Sequence, residues 1–463
     1  MRASRFSPRI FWLILADAAI LYSGVILAMY LRLGFSGSEY ELNEKNGWLK
    51  IALASAVCLL ILYFYDLYDY IVMTNRRELM LRLVQALGIA WALLAFLFYF
   101  VPQLLIGRGV SVISVPLVLC LLLGWRIFIH TLTGHPEIGE KILVVGTGQT
   151  ALDTAEAVWE RRDAGYRIVG FVSENGAKPR EKLGRSEILG RAMDLEDVIR
   201  NEKIDRVVIA VRERRGAFPT ETLLKMSLAG DVSIEECTSF FERITGKVHV
   251  DMLRPSWLIF AGRRRDSPVK SVLREAFHRL LALIGLLVSL PVALVTVILI
   301  KLESRGPIFY KQERVGKSGH VFNVIKFRSM KTDAEADGKP MWAVSNDERA
   351  TRVGKLIRKL RIDEIPQFWN ILKGEMNFVG PRPERPHFVK QLATEIPFYE
   401  HRHLVAPGLT GWAQIKYPYG ASVSDAIQKL QYDLYYIKNQ SLTLDMIIVF
   451  DTFKTVLFGK GGR

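Results

Sequence analysis

The chain has 463 residues, room for two or three domains, and half of them are hydrophobic. Its mean hydropathy of +0.17 is high for a soluble enzyme. The formal net charge is +15; with no nucleic-acid-binding motif beside it, the excess is read as contact with the anionic side of a membrane and not with nucleic acid.

Residues 1–135 are expected to form a four-helix transmembrane region. Apolar runs at 10–31, 47–67, 83–102 and 110–131 each approach the ~20 residues that cross a bilayer. The first is too long for a signal-peptide core and lacks a small-residue cleavage site. Arg2, Arg5 and Arg9 precede it, Glu39, Glu41 and Glu44 follow it, and Arg76, Arg77 and Arg82 precede the third run. The positive-inside rule then puts both ends of this region in the cytoplasm. Cys58 and Cys120 lie in apolar runs, and with Cys237 they show no metal or disulfide spacing.

Residues 136–240 read as an α/β Rossmann-like domain, with strands at KILVVG, YRIVGFV and DRVVIAV. Gly146, Gly148 and Ala151 form a G-x-G-x-x-A turn that can seat a phosphate at a helix N-terminus, and Glu174 could meet a ribose. Such turns also form simply to pack helix on strand. Residues 241–270, which include GRRRDSP, read as a basic linker.

The fifth apolar run, Leu280 to Ile300, has no charged residue and Pro291 near its middle. Arg274 and Arg279 precede it, and Lys301, Arg305 and Lys311 follow it, so both ends favour the cytoplasm. A helix over 278–303 that enters the bilayer, bends near Ser289-Leu290-Pro291 and returns meets that demand; Ser289 could satisfy a freed carbonyl. A proline-kinked span is the alternative.

Residues 271–463 carry the densest motifs. A strand pair with a Gly-Lys-Ser-Gly turn at 316–319 holds Arg314, Lys326 and Arg328; the last two alternate along one face. Then comes GKLIRKLRIDEIPQFWNILKGEMNFVGPRPERP, with Asp363 and Glu364 side by side among arginines and lysines. Basic groups around isolated carboxylates suit an anionic substrate. That string, with VAPGLTGWAQI and YDLYYIKNQSLTLDM, resembles the bacterial sugar transferase family, the polyprenyl-phosphate hexose-1-phosphate transferases that initiate exopolysaccharide and O-antigen (lipopolysaccharide) synthesis. The likeness covers roughly 270–463, and the four-helix front end with an α/β domain resembles the large form. The acid pair usually follows Ser-Leu in this family; here Arg361 and Ile362 stand there.

The resemblance implies a membrane α-helical N-terminal bundle, an α/β domain, and an α+β monotopic catalytic domain with a re-entrant membrane helix. It implies a multi-pass protein of the bacterial inner membrane whose catalytic domain faces the cytoplasm. Asp363 would attack the sugar-linked phosphorus of a UDP-hexose and release UMP, and polyprenyl (undecaprenyl) phosphate would take the sugar phosphate from the aspartate. Mg²⁺ is the implied cofactor, with Glu364 as candidate ligand. Arg358 and Arg382 would grip phosphate, and Arg314, Lys326, Arg328, Arg361, Arg402 and Asp433 complete the candidate substrate-binding set. A homodimer and downstream glycosyltransferases are the implied partners beside the lipid bilayer.

Each residue has a plainer role open to it. Asp363 could cap the helix that Pro366 begins and Gly374 ends, and Glu364 could complement its dipole. Arg358 and Arg361 could sit on lipid headgroups, and Arg382 could only shape a turn. Lys326 and Arg328 could form a solvated face, and Asp433 and Asp445 could cap helices. His401 and His403 flank Arg402 without ligand spacing. The segment 442–458 has the apolar spacing of an interfacial helix or of core packing. A nucleotide-sugar oxidoreductase or dehydratase would need a Tyr-x-x-x-Lys pair after the glycine turn, which the α/β segment lacks. A non-catalytic export scaffold would leave polymer production intact in Asp363→Asn.

Overall fold

A computed structural model describes residues 8–65, 67–68, 76–105, 107–133, 140–161, 165–174, 181–211, 220–230, 232–250, 253, 268–331, 349–417, 420 and 422–457. The chain divides into two compact units, Met1–Glu236 and Cys237–Arg463.

The first unit opens with four helices: α1 (Pro8–Asn43), α2 (Gly47–Phe64), α3 (Arg76–Phe100) and α4 (Arg108–Thr133). Helix α1 outruns the expected span. It breaks at Gly34 (φ 70°), resumes, and so carries Glu39 and Glu41 on a helix where a loop was expected. The Ser38 hydroxyl donates to the Gly34 carbonyl at 2.7 Å, serving an acceptor beside the break. Helix α3 starts before its apolar run, so Arg76, Arg77 and Arg82 lie on the helix itself. The helices pack in a ring, α1 on α2, α2 on α3, α3 on α4 and α4 on α1. Leu21, Met29, Ile51, Leu62, Leu83, Leu94 and Leu122 fill its centre. A Cβ added at Gly24 would stand 2.8 Å from Val118, so glycine lets α1 and α4 approach closely. Asp17 and Arg126 form a buried ion pair at 2.5 Å between these helices, and Arg126 also donates to the Leu67 carbonyl at 3.0 Å. These four helices, with a fifth in the second unit, are long and apolar enough to cross a membrane, which marks a membrane protein.

An α/β layer follows: β1 (Glu140–Val145), α5 (Gln149–Glu160), β2 (Tyr166–Ser173), β3 (Lys182–Leu183), β4 (Ser186–Arg191), α6 (Leu195–Glu202), β5 (Arg206–Ile209), α7 (Thr220–Ala229) and β6 (Ser233–Glu236). The sheet order is β3-β4-β2-β1-β5-β6, parallel except for the β3–β4 pair. The three strands expected from sequence are β1, β2 and β5 at its centre, where burial on both faces demands continuous apolar runs. Strands β4 and β6 are short and polar and announced nothing. Gly146 (φ 121°) ends β1, and a Cβ there would press the Ala210 backbone at 3.3 Å. The backbone angle and the packing both call for glycine here. Gly148 precedes α5, Ala151 is buried, and Glu174 is exposed just past β2.

The second unit begins with α8 (Cys237–Thr245). Residues 237–250 had been divided between the α/β domain and a linker; they pack within this unit. Trp412 Nε1 donates to the Gly246 carbonyl at 2.7 Å, Lys438 pairs with Glu242 at 2.7 Å, and Val248 and Val250 enter the same core as Ile371, Val379, Leu434 and Ile448. Most of the expected linker, residues 254–267 with Arg263, Arg264 and Arg265, lies outside the described residues.

Helix α9 (Pro268–Glu303) is the fifth apolar helix, and its helical conformation runs through Pro291. It starts ten residues ahead of the expected 278–303. Both halves touch the compact part of the unit. Ala282 joins the main core and Gly285 faces the Phe368 ring, while Ile300 packs with Phe327 and Ile357. Between them Leu287, Val288 and Leu290 are exposed. The Ser289 hydroxyl donates to the Leu286 carbonyl at 3.3 Å.

Two antiparallel strands follow, β7 (Phe309–Val315) and β8 (Val321–Phe327), joined by the expected turn at 316–319. Then come α10 (Arg352–Lys359), α11 (Gln367–Lys373), β9 (Asn377–Val379), α12 (Pro386–Glu395), β10 (Gly408–Thr410), α13 (Trp412–Lys416), α14 (Val423–Lys438) and α15 (Leu442–Leu457). Strands β9 and β10 pair in parallel. This small ladder explains why two motifs distant in sequence travel together. Gly380 N–H donates to the Thr410 carbonyl at 2.9 Å and Gly408 N–H to the Pro381 carbonyl at 2.8 Å. A Cβ at Gly408 would lie 2.0 Å from Gly380 N, so neither backbone tolerates a side chain.

Candidate active site

Helix α10 begins at Thr351, whose hydroxyl accepts from Gly354 N–H at 2.9 Å, and ends in the basic residues Arg358 and Lys359. Arg361 then adopts a left-handed conformation (φ 56°), uncommon for a residue with a Cβ, and reverses the chain into a single 3₁₀ turn, Ile362–Glu364. Helix α11 follows at once, closed by Gly374 (φ 82°). Asp363 and Glu364 thus sit on a short turn pinned at both ends. They are 8% and 9% exposed, buried enough to feel each neighbouring charge strongly.

The neighbours are cations. Lys326, from β8, places Nζ 3.2 Å from Glu364 Oε1 and 3.9 Å from Asp363 Oδ2. Arg382, from the Pro-Arg-Pro turn after β9, donates to Glu364 Oε1 at 2.6 Å. Arg361 lies 3.6 Å from Glu364 Oε2. The two carboxyls respond differently. For Glu364, burial acts to raise the pKa but Arg382, Lys326 and Arg361 outweigh it, so the group is held far below the usual carboxylate range. For Asp363, burial prevails: with the help of the Glu364 charge it lifts the carboxyl above the aspartate norm, against Lys326, Arg382 and Arg358. One acid is a fixed anion locked in ion pairs. Its neighbour is a poorly solvated carboxylate, desolvated in the way that makes an anion a better nucleophile.

The candidate residues therefore separate into groups. Asp363, Glu364, Lys326, Arg361 and Arg382 come together, with Arg358 near enough to act on Asp363. Arg314 instead holds the turn beyond: it donates to the Pro383 carbonyl at 3.0 Å and pairs with Glu384 at 3.3 Å. Arg328 does not join the Lys326 cluster: its N–H continues the ladder to the Ile308 carbonyl at 2.8 Å, and its guanidinium donates to the Arg305 and Ser304 carbonyls, both at 2.9 Å, closing the C-terminus of α9. Arg402 and Asp433 are buried and paired at 2.9 Å. Arg402 also donates to Tyr399 OH at 2.6 Å and to the Arg382 carbonyl at 2.9 Å, so the pair braces the turn that presents Arg382. Burial lifts the Asp433 carboxyl to about 6, Arg402 opposing and Glu384 assisting. Asp445 joins Arg274 and His278 of α9, and Tyr436 OH lies 2.8 Å from Asp445 and 3.0 Å from the Val379 carbonyl. That cluster ties the root of α9 to the strand that leads into the Pro-Arg-Pro turn. His403 is pushed down to about 4, by burial first and then by Arg402, so it is neutral at pH 7. The glycine turn with Gly146, Gly148 and Ala151 belongs to the first unit.

Among the described residues no three His, Cys, Asp or Glu gather as a metal cage. Mg²⁺ commonly takes one or two carboxylates and completes its shell with water and substrate phosphates. Glu364 Oε2, with Arg361 at 3.6 Å, suits that substrate-assisted arrangement and not an all-protein site.

Residues 269–459 match the profile of the bacterial sugar transferase family, and residues 64–217 match a CoA-binding domain. The chain is 40% identical over 199 residues to the exopolysaccharide production protein PSS of Rhizobium leguminosarum bv. phaseoli, covering 41% of this chain and 98% of that protein. The chain belongs to the bacterial sugar transferase family. The Asp363–Glu364 turn, Lys326 and the Pro-Arg-Pro turn all fall within the span matched by the family profile. This bacterial sugar transferase is also 43% identical over 261 residues to a UDP-N-acetylgalactosamine-undecaprenyl-phosphate N-acetylgalactosaminephosphotransferase of Aeromonas hydrophila, covering 56% of this chain and 61% of the relative. It is 33% identical over 345 residues to an undecaprenyl-phosphate glucose phosphotransferase of Komagataeibacter xylinus, covering 72% of this chain and 62% of the relative. The chain thus spans less than two thirds of either longer relative.

Proposed function

We propose that this protein transfers a sugar 1-phosphate from a UDP-sugar to polyprenyl phosphate, releasing UMP, as the initiating step of exopolysaccharide or O-antigen synthesis. The observation that carries the reading is the buried Asp363–Glu364 turn ringed by Lys326, Arg358, Arg361 and Arg382. An Asp363 oxygen attacks the sugar-linked phosphorus, the bond to the UMP oxygen breaks, and UMP leaves with the electron pair. An acyl phosphate bearing the sugar remains on Asp363. A phosphate oxygen of the polyprenyl acceptor then attacks the same phosphorus, the acyl bond breaks, and Asp363 regains its charge. Arg382 and Lys326 neutralise developing charge on the phosphoryl oxygens, and Arg358 and Arg361 extend that field. Glu364, with the donor's phosphates, would hold Mg²⁺, which when bound lowers the charge of the donor's diphosphate and of the departing UMP.

The reading includes a topology. Basic residues at both ends of α9, an exposed apolar middle at Leu287–Leu290, and both halves of the helix on one compact unit support a re-entrant helix that keeps the site on the cytoplasmic face of an inner membrane. The relatives' names support a hexose or N-acetylhexosamine donor. The product would pass to glycosyltransferases that extend the lipid-linked sugar.

The test uses purified protein, Mg²⁺ and a panel of UDP-sugars without lipid acceptor. A stoichiometric burst of UMP and a sugar-phosphate adduct by intact mass, both absent from Asp363→Asn, are expected. Product formed only on adding polyprenyl phosphate, with no adduct, would replace the covalent intermediate by direct transfer. Absence of turnover with every donor and acceptor would sink the reading. Glu364→Gln should weaken the Mg²⁺ dependence of the burst by roughly tenfold, as removal of a metal-orienting group does; an unchanged metal titration would take Glu364 out of the metal site.

A further inference from the structure

Strand β8 carries Lys326, yet among the described residues it belongs to a two-stranded sheet and pairs only with β7. Its other edge is met by a side chain. Asn370, fully buried on α11, accepts from Ile325 N–H at 3.1 Å through Oδ1. Its Nδ2 donates to the Asn323 carbonyl at 2.8 Å and to Glu375 Oε2 at 2.6 Å. The carbonyl of one residue and the N–H of the residue two further on form the pattern that a neighbouring strand would engage, so the primary amide stands in for a third strand. Lys326 is the next residue along β8, and α11 grows directly out of the Asp363–Glu364 turn. Asn370 is thus the fastener between the element that delivers the lysine and the element that delivers the two acids. Neither Asp363 nor Glu364 touches it, and it was not among the residues the sequence suggested.

We infer that Asn370 is a positioning residue for the transfer reaction, fixing the register of β8 against the acid turn and with it the placement of Lys326 between the two carboxylates. The inference rests on the phosphoglycosyl transfer proposed above. A residue that acts by placing Lys326 loses its influence when Lys326 is removed, whereas a residue that merely supports the fold does not.

The experiment is a double-mutant cycle on the full-length protein with Asn370→Ala, Lys326→Met and the pair. The UMP burst rate is measured per folded protein, with folding checked by circular dichroism. In the Lys326-containing background Asn370→Ala is expected to slow the burst by roughly tenfold. In the Lys326→Met background the same change should alter the rate by less than about twofold. A tenfold loss in both backgrounds would overturn the inference while leaving the transferase reading intact. A wild-type protein with no turnover would overturn that reading, and the inference with it. If Asn370→Ala does not fold, the near-isosteric Asn370→Asp, which leaves no cavity, enters the same cycle with the same deciding outcomes.

Discussion

Asp363 has a cost that its proposed role explains. Because burial raises its pKa in the folded chain, the folded state binds a proton there more tightly than the unfolded state does. Its contribution to stability is therefore present at low pH and falls as pH rises through the raised value. Asn resembles the protonated form, so Asp363→Asn should abolish turnover, by on the order of 10⁴-fold or more, without lowering the melting temperature. A rise of up to about 2–4 °C is expected, the shift that ~1 kcal/mol gives a domain of this size. Calorimetry of the variant at pH 7 decides: a clear fall in melting temperature would show that the carboxylate supports the fold. In the proposed reaction only the ionised group attacks, so turnover should fail on the acid side above the ordinary aspartate range. The acid pair, Lys326 and Arg382 were legible in the sequence because each sits in a motif whose local spacing presents it. Arg314, Arg328, Arg402 and Asp433 looked like the same kind of residue, but what a charged side chain meets is settled by tertiary contact. Arg328 is turned away from the acids because the open carbonyls of Ser304 and Arg305 at the end of α9 lie within its reach. Asn370 gave no signal, since a buried amide and a surface amide read alike.

Among the elements, the β9–β10 ladder shows how much depends on small residues. Gly408→Ala would drive a methyl into the Gly380 backbone, and overpacking at such a contact typically costs about 1–3 kcal/mol or more. Since Gly380 precedes Pro381 and Arg382, the damage should reach the site. We expect a fall in melting temperature and at least a roughly tenfold loss of burst rate. Intact activity in a destabilised Gly408→Ala would show that the turn adjusts independently. Helix α9 was legible as an apolar element, and its extent was not: residues 268–279 are charged and mixed, and become helical because Arg274 and His278 dock on Asp445. Pro291→Ala restores a backbone donor at the centre of α9 and should favour a spanning helix. A tag at the C-terminus would then become accessible from the periplasmic side in a fraction of molecules. An unchanged cytoplasmic tag would show that the two docked halves, not the proline, hold the topology.

The whole chain is organised as two units whose border does not follow the sequence motifs. The family profile begins at residue 269, but the second unit begins at Cys237. The reason is that Val248 and Val250 are core residues, and Glu242 and Gly246 anchor Lys438 and Trp412. Nothing in a short mixed segment beside an arginine-rich stretch advertises that. A chain starting at Cys237 should fold and retain burst activity, whereas one starting at 271 loses two buried valines, each worth about 1.5–3 kcal/mol. We expect the shorter chain to melt at least ~5 °C lower or to aggregate; equal stability would restore the border to the motif. The ion pair of Asp17 with Arg126 bears on how the chain is made. The two residues are 109 positions apart. At ribosomal rates of about 5–20 residues per second, Asp17 emerges roughly 5–20 s before its partner exists. During that interval the first span must leave the translocon with a bare acid, or wait beside it. An unpaired acid inside a bilayer costs about 2.5–3.5 kcal/mol on insertion scales, so lasting insertion of the first helix is expected to depend on the arrival of the fourth.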